Sequence, residues 1–298
     1  MRGPVHEPLI PYVVLAAVAG TLLPGVATSL AGLVPVFLAG QVGGVAATLT
    51  AGELLAAART PRPLIVSLAL MWAVVPLIGI GLGHMSADHS VAAGIVITAA
   101  VPSEITSPLV ALLAGGGGGV AITTMVASLA AGTVLTPVWV GVGLGGDTHI
   151  DRGALITELG LSVTLPLIVA VAIRTRLSVV ARYRTASLDV AAVSVILVVF
   201  VAAGYARDLS GWSAAAGAAG LALALQAGAY AVGWATFRLL RSPGEVVRAV
   251  LFPIGMREFG IATAVALVAV PSAAGVAGLY GVLLMVSAPA LALLIRPR

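Results

Sequence analysis

The chain has 298 residues, of which 60% are apolar and only 9% carry a charged side chain. An average soluble domain has roughly 25% charged residues, so this composition excludes an ordinary soluble protein and favours one that lies in lipid. Cysteine is absent, which excludes disulfides and thiolate sites, and the net charge of +4 is better explained by loop arginines than by binding of nucleic acid.

Long charge-free stretches follow one another along the chain, and several are long enough for two spans of about 20 residues each. The segment before the first stretch lacks the pattern of a cleavable signal peptide, so the first span is expected to be retained. Hydropathy and the positions of Pro and Gly predict about ten transmembrane helices, near residues 9–24, 30–50, 63–83, 90–113, 120–143, 154–173, 188–205, 211–236, 244–270 and 275–295.

The arginines predict how these spans are oriented. If the N-terminus and the even-numbered loops share one side, twelve arginines fall on that side and only Arg152 and Arg207 on the other. Cytoplasmic loops carry the excess of basic residues, so both termini are predicted to be cytoplasmic in a multi-pass protein of the cell membrane. No linker of domain size interrupts the spans, and residues 1–298 are expected to form a single membrane transporter domain.

Two of the predicted spans are interrupted by proline. Pro102 lies in AAVPSEITSPLVALLAGG and Pro253 lies in VLFPIGMREFGIATAVAL, where Gly255 adds a second helix-breaking residue. Each interrupted span is the fourth of five in its half of the chain. This position predicts two repeats, at about residues 1–145 and 150–298.

Five spans in each half give the two repeats opposite orientations. Inverted repeats with discontinuous helices are typical of secondary transporters, which bind their solutes where those helices meet at the midplane. The expected fold is therefore an all-α polytopic membrane protein of about ten helices, in which broken helices 4 and 9 cross.

The ionisable residues predicted to lie deep in the bilayer are Glu104, Arg257 and Glu258, all directly after the breaks. A charge at a helix centre costs about 3 kcal/mol, so such residues normally face a cavity or each other. Helix capping is the alternative role for Ser103 and the two acids. Arg257 opposes the dipole of a helix that begins there, and it is expected to contact Glu104, Glu258 or an anionic substrate.

The three charges sum to −1 when all are ionised, because two glutamates face one arginine. A proton on one glutamate or a bound cation would neutralise the cluster. We therefore expect a proton or sodium as the coupling ion, with no other cofactor and no resident metal.

Four segments form a pattern that is found in a known family of transporters. They are RTPRPLIVSLALMWAVVPLIGIGLG (59–83), the P-x3-T-S turn at 102–107 with LVALLAGG, VAITTMVASLAAGTVLTPVWV (120–140) and GMREFGIATAVALVA (255–269). These segments resemble the bile acid/sodium symporter superfamily. The resemblance implies two inverted five-helix repeats, a panel domain and a core domain with the crossed helices, and sodium-driven transport of organic anions by alternating access.

The residues that correspond to the family's sodium ligands are altered. Ser107-Pro108 stands where the family has Ser-Asn, Pro253 where it has a glutamate, and Met71 where it has a third-span glutamine. The resemblance therefore implies a homologue that lacks the usual sodium sites, in which Glu104 and Glu258 rebuild a cation site or carry protons. The predicted site comprises Arg257, Glu258, Glu104, Ser107, Thr106, Thr123 and Ser128, beside the breaks at Pro102, Pro253 and Gly255.

His84, Asp88 and His89 have side chains that can bind a metal, but they are better explained as part of an external loop, since no fourth ligand is apparent.

The leading functional prediction is a secondary transporter of a small organic anion that is bile-acid-like, steroid-like or a small carboxylate. The alternatives are a cation/proton antiporter and a membrane receptor that has lost transport. No nucleophile–base pair indicates an enzyme. The expected partners are the organic anion and membrane lipids.

Overall fold

The computed structural model describes residues 9–52, 55, 61–145, 151–177, 182–208 and 212–297. Across these residues the regular elements are helices, joined by one isolated pair of bridged residues. The main helices are α1 Leu9–Leu22, α2 Pro24–Ser29, α3 Val34–Ala46, α4 Pro61–Gly83, α5 His89–Ala100, α6 Ser107–Leu113, α7 Gly118–Gly143, α8 Arg152–Arg176, α9 Arg184–Gly204, α10 Trp212–Leu239, α11 Gly244–Gly255, α12 Phe259–Ala269 and α13 Ala274–Ile295.

Six helices in the described part are long and apolar enough to cross a membrane, and four shorter helices of 10–17 residues are also apolar. The prediction of an all-α polytopic membrane protein is therefore confirmed. The number of crossings and the inverted repeat stay predictions. Arg2, Arg59 and Arg298, which carry part of the orientation argument, lie outside the described residues.

The helices pack in two groups. The first group consists of α9, the helices α1, α2 and α3 that pack against it, and α8, which packs against α3. The second group consists of α4–α7 and α10–α13, which pack around the interrupted helices. Gly40 and Gly44 lie one turn apart on α3 and leave no room for a Cβ atom against Ser194 and Ala191 of α9. Small residues at this spacing let helices approach closely in lipid, where packing drives their association.

The first interruption separates α5 from α6. Val101 is extended, with φ −88° and ψ 163°, because the ring of a following proline disfavours helical geometry at the residue before it. The helix resumes at Ser107, with Pro108 in its first turn, where a missing N–H costs nothing. The break that the sequence predicted is therefore present at Pro102.

The second interruption separates α11 from α12 and begins slightly later than the proline. Pro253 lies inside the last turn of α11, which ends at Gly255, and Met256 is extended with φ −95° and ψ 117°. The chain becomes helical again at Phe259. Both breaks are lined by buried residues in the interior of the second group.

Candidate functional site

The two extended segments meet as one antiparallel pair. Ser103 and Arg257 are bridged, the N–H of Glu104 donates to the carbonyl of Met256 at 2.9 Å, and the N–H of Glu258 donates to the carbonyl of Pro102 at 2.9 Å. Each break thus satisfies backbone groups that the other exposes, as is required far from water. We call residues 101–106 and 256–258 the crossing.

The polar residues of the crossing are withdrawn from solvent and lipid. Ser103, Glu104, Arg257 and Glu258 are each 0% exposed. Burial of unpaired charge is strongly unfavourable, so these side chains depend on one another and on backbone dipoles. The sequence prediction that the three ionisable residues lie together inside the protein therefore agrees with their positions.

Both carboxylate oxygens of Glu258 accept hydrogen bonds. As the N-cap of α12 its carboxylate accepts from the N–H of Gly260 at 3.1 Å, and it also accepts from the N–H of Ile105 at 3.1 Å and from Gln41 Nε2 at 3.1 Å. The capping role considered from the sequence is thus present. The same carboxylate also connects α12 by hydrogen bonds to the first break, through Ile105, and to the first helix group, through Gln41.

Glu104 has a less complete environment. Its Oε1 accepts from the N–H and the hydroxyl of Thr106, both at 3.4 Å, whereas its Oε2 accepts no hydrogen bond from a described donor. The carboxyl groups of Glu104 and Glu258 lie near each other and interact electrostatically. Two buried carboxylates close together repel, so the arrangement favours a proton on one of them.

Arg257 turns away from the two acids. Its Nη2 donates to the carbonyls of Val101, of Ala99 at 3.1 Å and of Met71 at 3.4 Å, and the guanidinium lies 5.7 Å from the ring centroid of Trp72. The expected ion pair with Glu104 or Glu258 is not among its contacts in the described part of the chain. Its Nε and Nη1 have no acceptor there.

Two features of the backbone stabilise this buried cation. Ala99 and Val101 lie at the carboxyl end of α5, where unpaired carbonyls give a helix its negative pole. Met71 lies in a π-helical turn, Leu70–Val74, of α4, and such turns release carbonyls and are frequent at functional sites. The guanidinium of Arg257 therefore does not oppose a helix dipole, because it binds the negative carboxyl end of α5.

The predicted hydroxyl residues divide into two sets. Ser107 Oγ lies 3.0 Å from Ser103 Oγ, and Ser128 Oγ accepts from the N–H of Ser103 at 3.0 Å, so both contact the crossing, as does Thr106. Thr123 instead donates to the carbonyl of Gly119 at 3.0 Å, within its own helix. The hydrogen bonds of the crossing do not include it.

Sequence reasoning missed Gln41 and Tyr280. The hydroxyl of Tyr280 accepts from the N–H of Arg257 at 3.0 Å and donates to the carbonyl of Gly255 at 3.3 Å, which fixes the start of the second break. Gln41 is 1% exposed and its Oε1 has no described partner. A lone polar residue in an apolar span was the available signal for Gln41, whereas Tyr280 is unremarkable in sequence.

The described residues contain no group of three or more His, Cys, Asp or Glu side chains arranged for a metal ion. Asp88 caps α5 by accepting from the N–H groups of Ser90 at 2.8 Å and Val91 at 3.1 Å. Near the carboxyl pair, Glu104 Oε2 and Gln41 Oε1 are buried oxygens without a described partner. The crossing thus offers oxygen atoms suited to a proton or a hard cation.

Comparison with known proteins agrees with this architecture. The chain is 24% identical over 166 residues to an uncharacterized sodium-dependent transporter, YocS, of Bacillus subtilis strain 168. That match covers 55% of this chain and 51% of the relative, so it spans about half the length of the curated protein. A sequence model of the SBF-like CPA transporter family matches residues 12–290. The resemblance to the bile acid/sodium symporters is confirmed, and the chain belongs to the SBF-like CPA transporter family.

Proposed function

We propose that this transporter moves a small solute by alternating access and that the crossing binds the coupled ion. The observation that carries the proposal is the antiparallel pairing of the two breaks, with a carboxyl group from each break in contact beside it. Discontinuous helices that meet near the midplane form the binding sites of secondary transporters. The two buried carboxyl groups supply the titratable group that coupling needs.

A proton is the coupling ion that the crossing supports best. With one proton shared between Glu104 and Glu258, the pair carries −1 and Arg257 carries +1, so the buried cluster is neutral. Loss of that proton leaves one uncompensated negative charge, which favours entry of a cation or another proton. Sodium is the second candidate, supported by the buried oxygens of Glu104 and Gln41 and by the printed description of the relative as sodium-dependent.

We propose a small organic anion as the transported solute, either bile-acid-like, steroid-like or a small carboxylate. Arg257 retains two nitrogen atoms, Nε and Nη1, without a described acceptor. A guanidinium donor next to an apolar wall suits a carboxylate or sulfonate on an apolar body. Arg257 is fully buried, so the structure corresponds to a state in which an anion has no direct path to it.

A cavity between the two helix groups lies against α12, the helix that begins beside the crossing. It has a volume of about 320 Å³ and is lined by Val34 and Glu158 from the first group and by Ala264 and Pro271 from the second, among other residues. Ala264 belongs to α12, the helix that Glu258 caps. Movement of one group against the other would widen or close this cavity, which is the kind of motion that alternating access requires.

Cation/proton antiport is the alternative that the surroundings of Arg257 favour. Its Nη2 is already engaged by three backbone carbonyls, so the arginine can serve as a fixed counter-charge and not as a ligand for substrate. A receptor that has lost transport is a third proposal, supported by the altered sodium-site positions Met71, Pro108 and Pro253.

The finer architecture is also a proposal. We propose ten transmembrane helices in two inverted five-helix repeats, a single domain and cytoplasmic termini. In support, the last long helix of each half carries a proline near its carboxyl end, at Pro137 in α7 and at Pro289 in α13. The breaks at Pro102 and Gly255 lie in the preceding helices of the same halves.

Ligand-dependent stability tests the proposed solute. A ligand that binds only the folded protein raises the unfolding temperature by mass action. Detergent-purified protein is therefore heated with small carboxylates and sulfonated steroids at several pH values, with and without sodium. We expect one of these anions to stabilise the wild type but not Arg257→Ala, while Arg176→Ala responds as the wild type. Stabilisation by sodium or by pH alone, without any anion, would favour the antiporter.

A further inference from the structure

A cavity at the ends of three helices is separate from the crossing. It has a volume of about 340 Å³ and lies where α10 ends, α11 begins and α13 ends. Two arginines and no acidic residue line it among the described residues. The lining consists of Tyr230, Ala231, Trp234, Arg238, Gly244, Val247, Arg248, Leu251, Leu291 and Ile295.

Both arginines of this cavity contact groups other than carboxylates among the described residues. Arg248 Nε donates to the carbonyl of Gly115 at 3.1 Å, and the guanidinium of Arg238 lies 5.7 Å from the ring centroid of Trp234. Neither arginine forms an ion pair with an acidic side chain in the described part of the chain. The cavity therefore combines an apolar interior with two positive charges that no described acidic side chain pairs.

The surroundings of the cavity indicate that it opens toward lipid. Trp234 is 54% exposed and Leu239 is 83% exposed, and both belong to α10, which is apolar and long enough to cross a membrane. Tryptophan is enriched at the level of the lipid headgroups. Basic pockets between transmembrane helices at that level bind anionic headgroups.

We infer that this cavity binds an anionic phospholipid. The phosphodiester contacts Arg238 and Arg248, and one acyl chain lies along Leu251, Leu291 and Ile295. The phosphate supplies the missing negative charge, and the chain fills the apolar walls. This inference goes beyond the proposed transport function and does not depend on it.

The bound lipid has a direct mechanical link to the crossing. Tyr230 lines the cavity, and its ring lies where a Cβ atom on Gly255 would be, immediately before the second break. The same ring packs edge-on against Phe252 at a centroid distance of 5.8 Å. An acyl chain against Tyr230 therefore supports the end of α11, which directly precedes the extended segment with Arg257 and Glu258.

Quenching of tryptophan fluorescence by brominated lipids tests the inference. Purified protein is placed in phosphatidylcholine nanodiscs that contain the same fraction of either brominated phosphatidylglycerol or brominated phosphatidylcholine. We expect the wild type to prefer the anionic quencher about fivefold or more, since each arginine near a headgroup adds to the attraction. Trp234→Phe loses this preference, which assigns the signal to the cavity.

Charge variants separate the cavity from general attraction to the membrane. Brominated phosphatidylglycerol and brominated phosphatidylcholine are expected to quench tryptophan fluorescence equally in two variants. These are the double variant Arg238→Ala/Arg248→Ala and the single charge reversal Arg238→Glu. Arg176→Ala, at the exposed end of α8, keeps the wild-type preference. Equal quenching in the wild type, or a preference that survives in the double variant, overturns the inference. So does protection of Trp234 by a soluble sulfonated steroid without any preference for phosphatidylglycerol, because the cavity would then bind a soluble anion.

Discussion

At the scale of single residues, the two glutamates of the crossing differ in how their oxygens are satisfied. Glu258 accepts from two backbone N–H groups and a side-chain amide, whereas Glu104 keeps one oxygen without a described donor. Substitution by glutamine replaces one carboxyl oxygen by an NH₂ group in both residues. The contrast in environment therefore predicts a contrast in stability.

We expect Glu258→Gln to lower the free energy of unfolding by about 1–3 kcal/mol, because its new amide N–H₂ faces backbone donors and leaves one of them unsatisfied. Glu104→Gln is expected to change it by less than about 0.5 kcal/mol, since an amide imitates the protonated carboxyl and donates to Glu258. Thermal unfolding of the two variants in the same detergent checks this. Equal destabilisation would show that Glu104 carries no shared proton.

Arg257 is the second residue for which the environment predicts a large effect. Arg257→Met removes the donor from the carbonyls of Val101, Ala99 and Met71 and leaves the carboxyl pair without its counter-charge. We expect a loss of about 3 kcal/mol or more in the free energy of unfolding. Arg176→Met, on the exposed end of α8, should stay within about 0.5 kcal/mol of the wild type in the same assay. A small effect of Arg257→Met would mean that water replaces the guanidinium.

The residue types of the site could be predicted, but not their contacts. The free-energy cost of placing a charged side chain in the bilayer was sufficient to select Glu104, Arg257 and Glu258 from the sequence. The partner of Arg257 could not be predicted, because side-chain patterns carry no record of which backbone carbonyls a π-helical turn or a helix end makes available. For the same reason Tyr280, which binds the backbone on both sides of Met256, gave no signal.

At the scale of helices, the close approach of α10 to α11 depends on Gly255. The Tyr230 ring occupies the place of a Cβ atom there, whereas a Cβ atom on Gly220 of α10 would meet no atom within 4 Å. We expect Gly255→Ala to destabilise the protein by about 1–3 kcal/mol through overpacking. Gly220→Ala should be neutral or stabilising by up to about 1 kcal/mol, because alanine favours the helix.

A double-mutant cycle identifies the cause of the Gly255 effect. If the ring is the obstacle, Gly255→Ala costs much less in a Tyr230→Ala background, and the coupling energy is of the order of 1 kcal/mol or more. Thermal unfolding of the four proteins gives that value. Additive effects would place the cost of the methyl group elsewhere, in the backbone of the second break.

Helix positions were more predictable than helix interruptions. Proline favours the first break, because the ring of Pro102 disfavours helical geometry at Val101, which is extended. In the second half Pro253 is accommodated inside the last turn of α11, and the extended backbone starts at Met256. The sequence therefore identified both broken helices, but the site of the second break depends on packing of Gly255 against Tyr230 and on pairing with the first break.

At the scale of the whole molecule, the crossing joins the two halves of the chain and also both helix groups. Ser103 pairs with Arg257 across the halves, and Gln41 of the first group donates to Glu258 of the second. A relative movement of the groups must break or stretch this last bond. We therefore expect protonation of the carboxyl pair and movement of the groups to be linked through Glu258, which accepts the bond from Gln41.

Gln41 gives a prediction at this scale. Gln41→Leu removes the only described side-chain hydrogen bond from the first group to Glu258 and leaves the backbone cap of α12 intact. We expect transport to lose most of its dependence on the pH gradient, while the unfolding temperature falls less than in Glu258→Gln. Flux in proteoliposomes at several imposed gradients checks the first part. Unchanged coupling would show that the groups communicate by another contact.

The most direct test of the account is proton movement in proteoliposomes that contain a pH-sensitive dye. Gradients of sodium, and of whichever organic anion stabilises the purified protein, are imposed on wild type, Glu104→Gln and Arg176→Ala. The account predicts that at least one gradient drives protons in wild type and in Arg176→Ala, and that Glu104→Gln moves the solute without the proton. Proton movement by Glu104→Gln equal to that of wild type, or none in wild type under any gradient, would contradict the claim that the crossing carries the coupled proton.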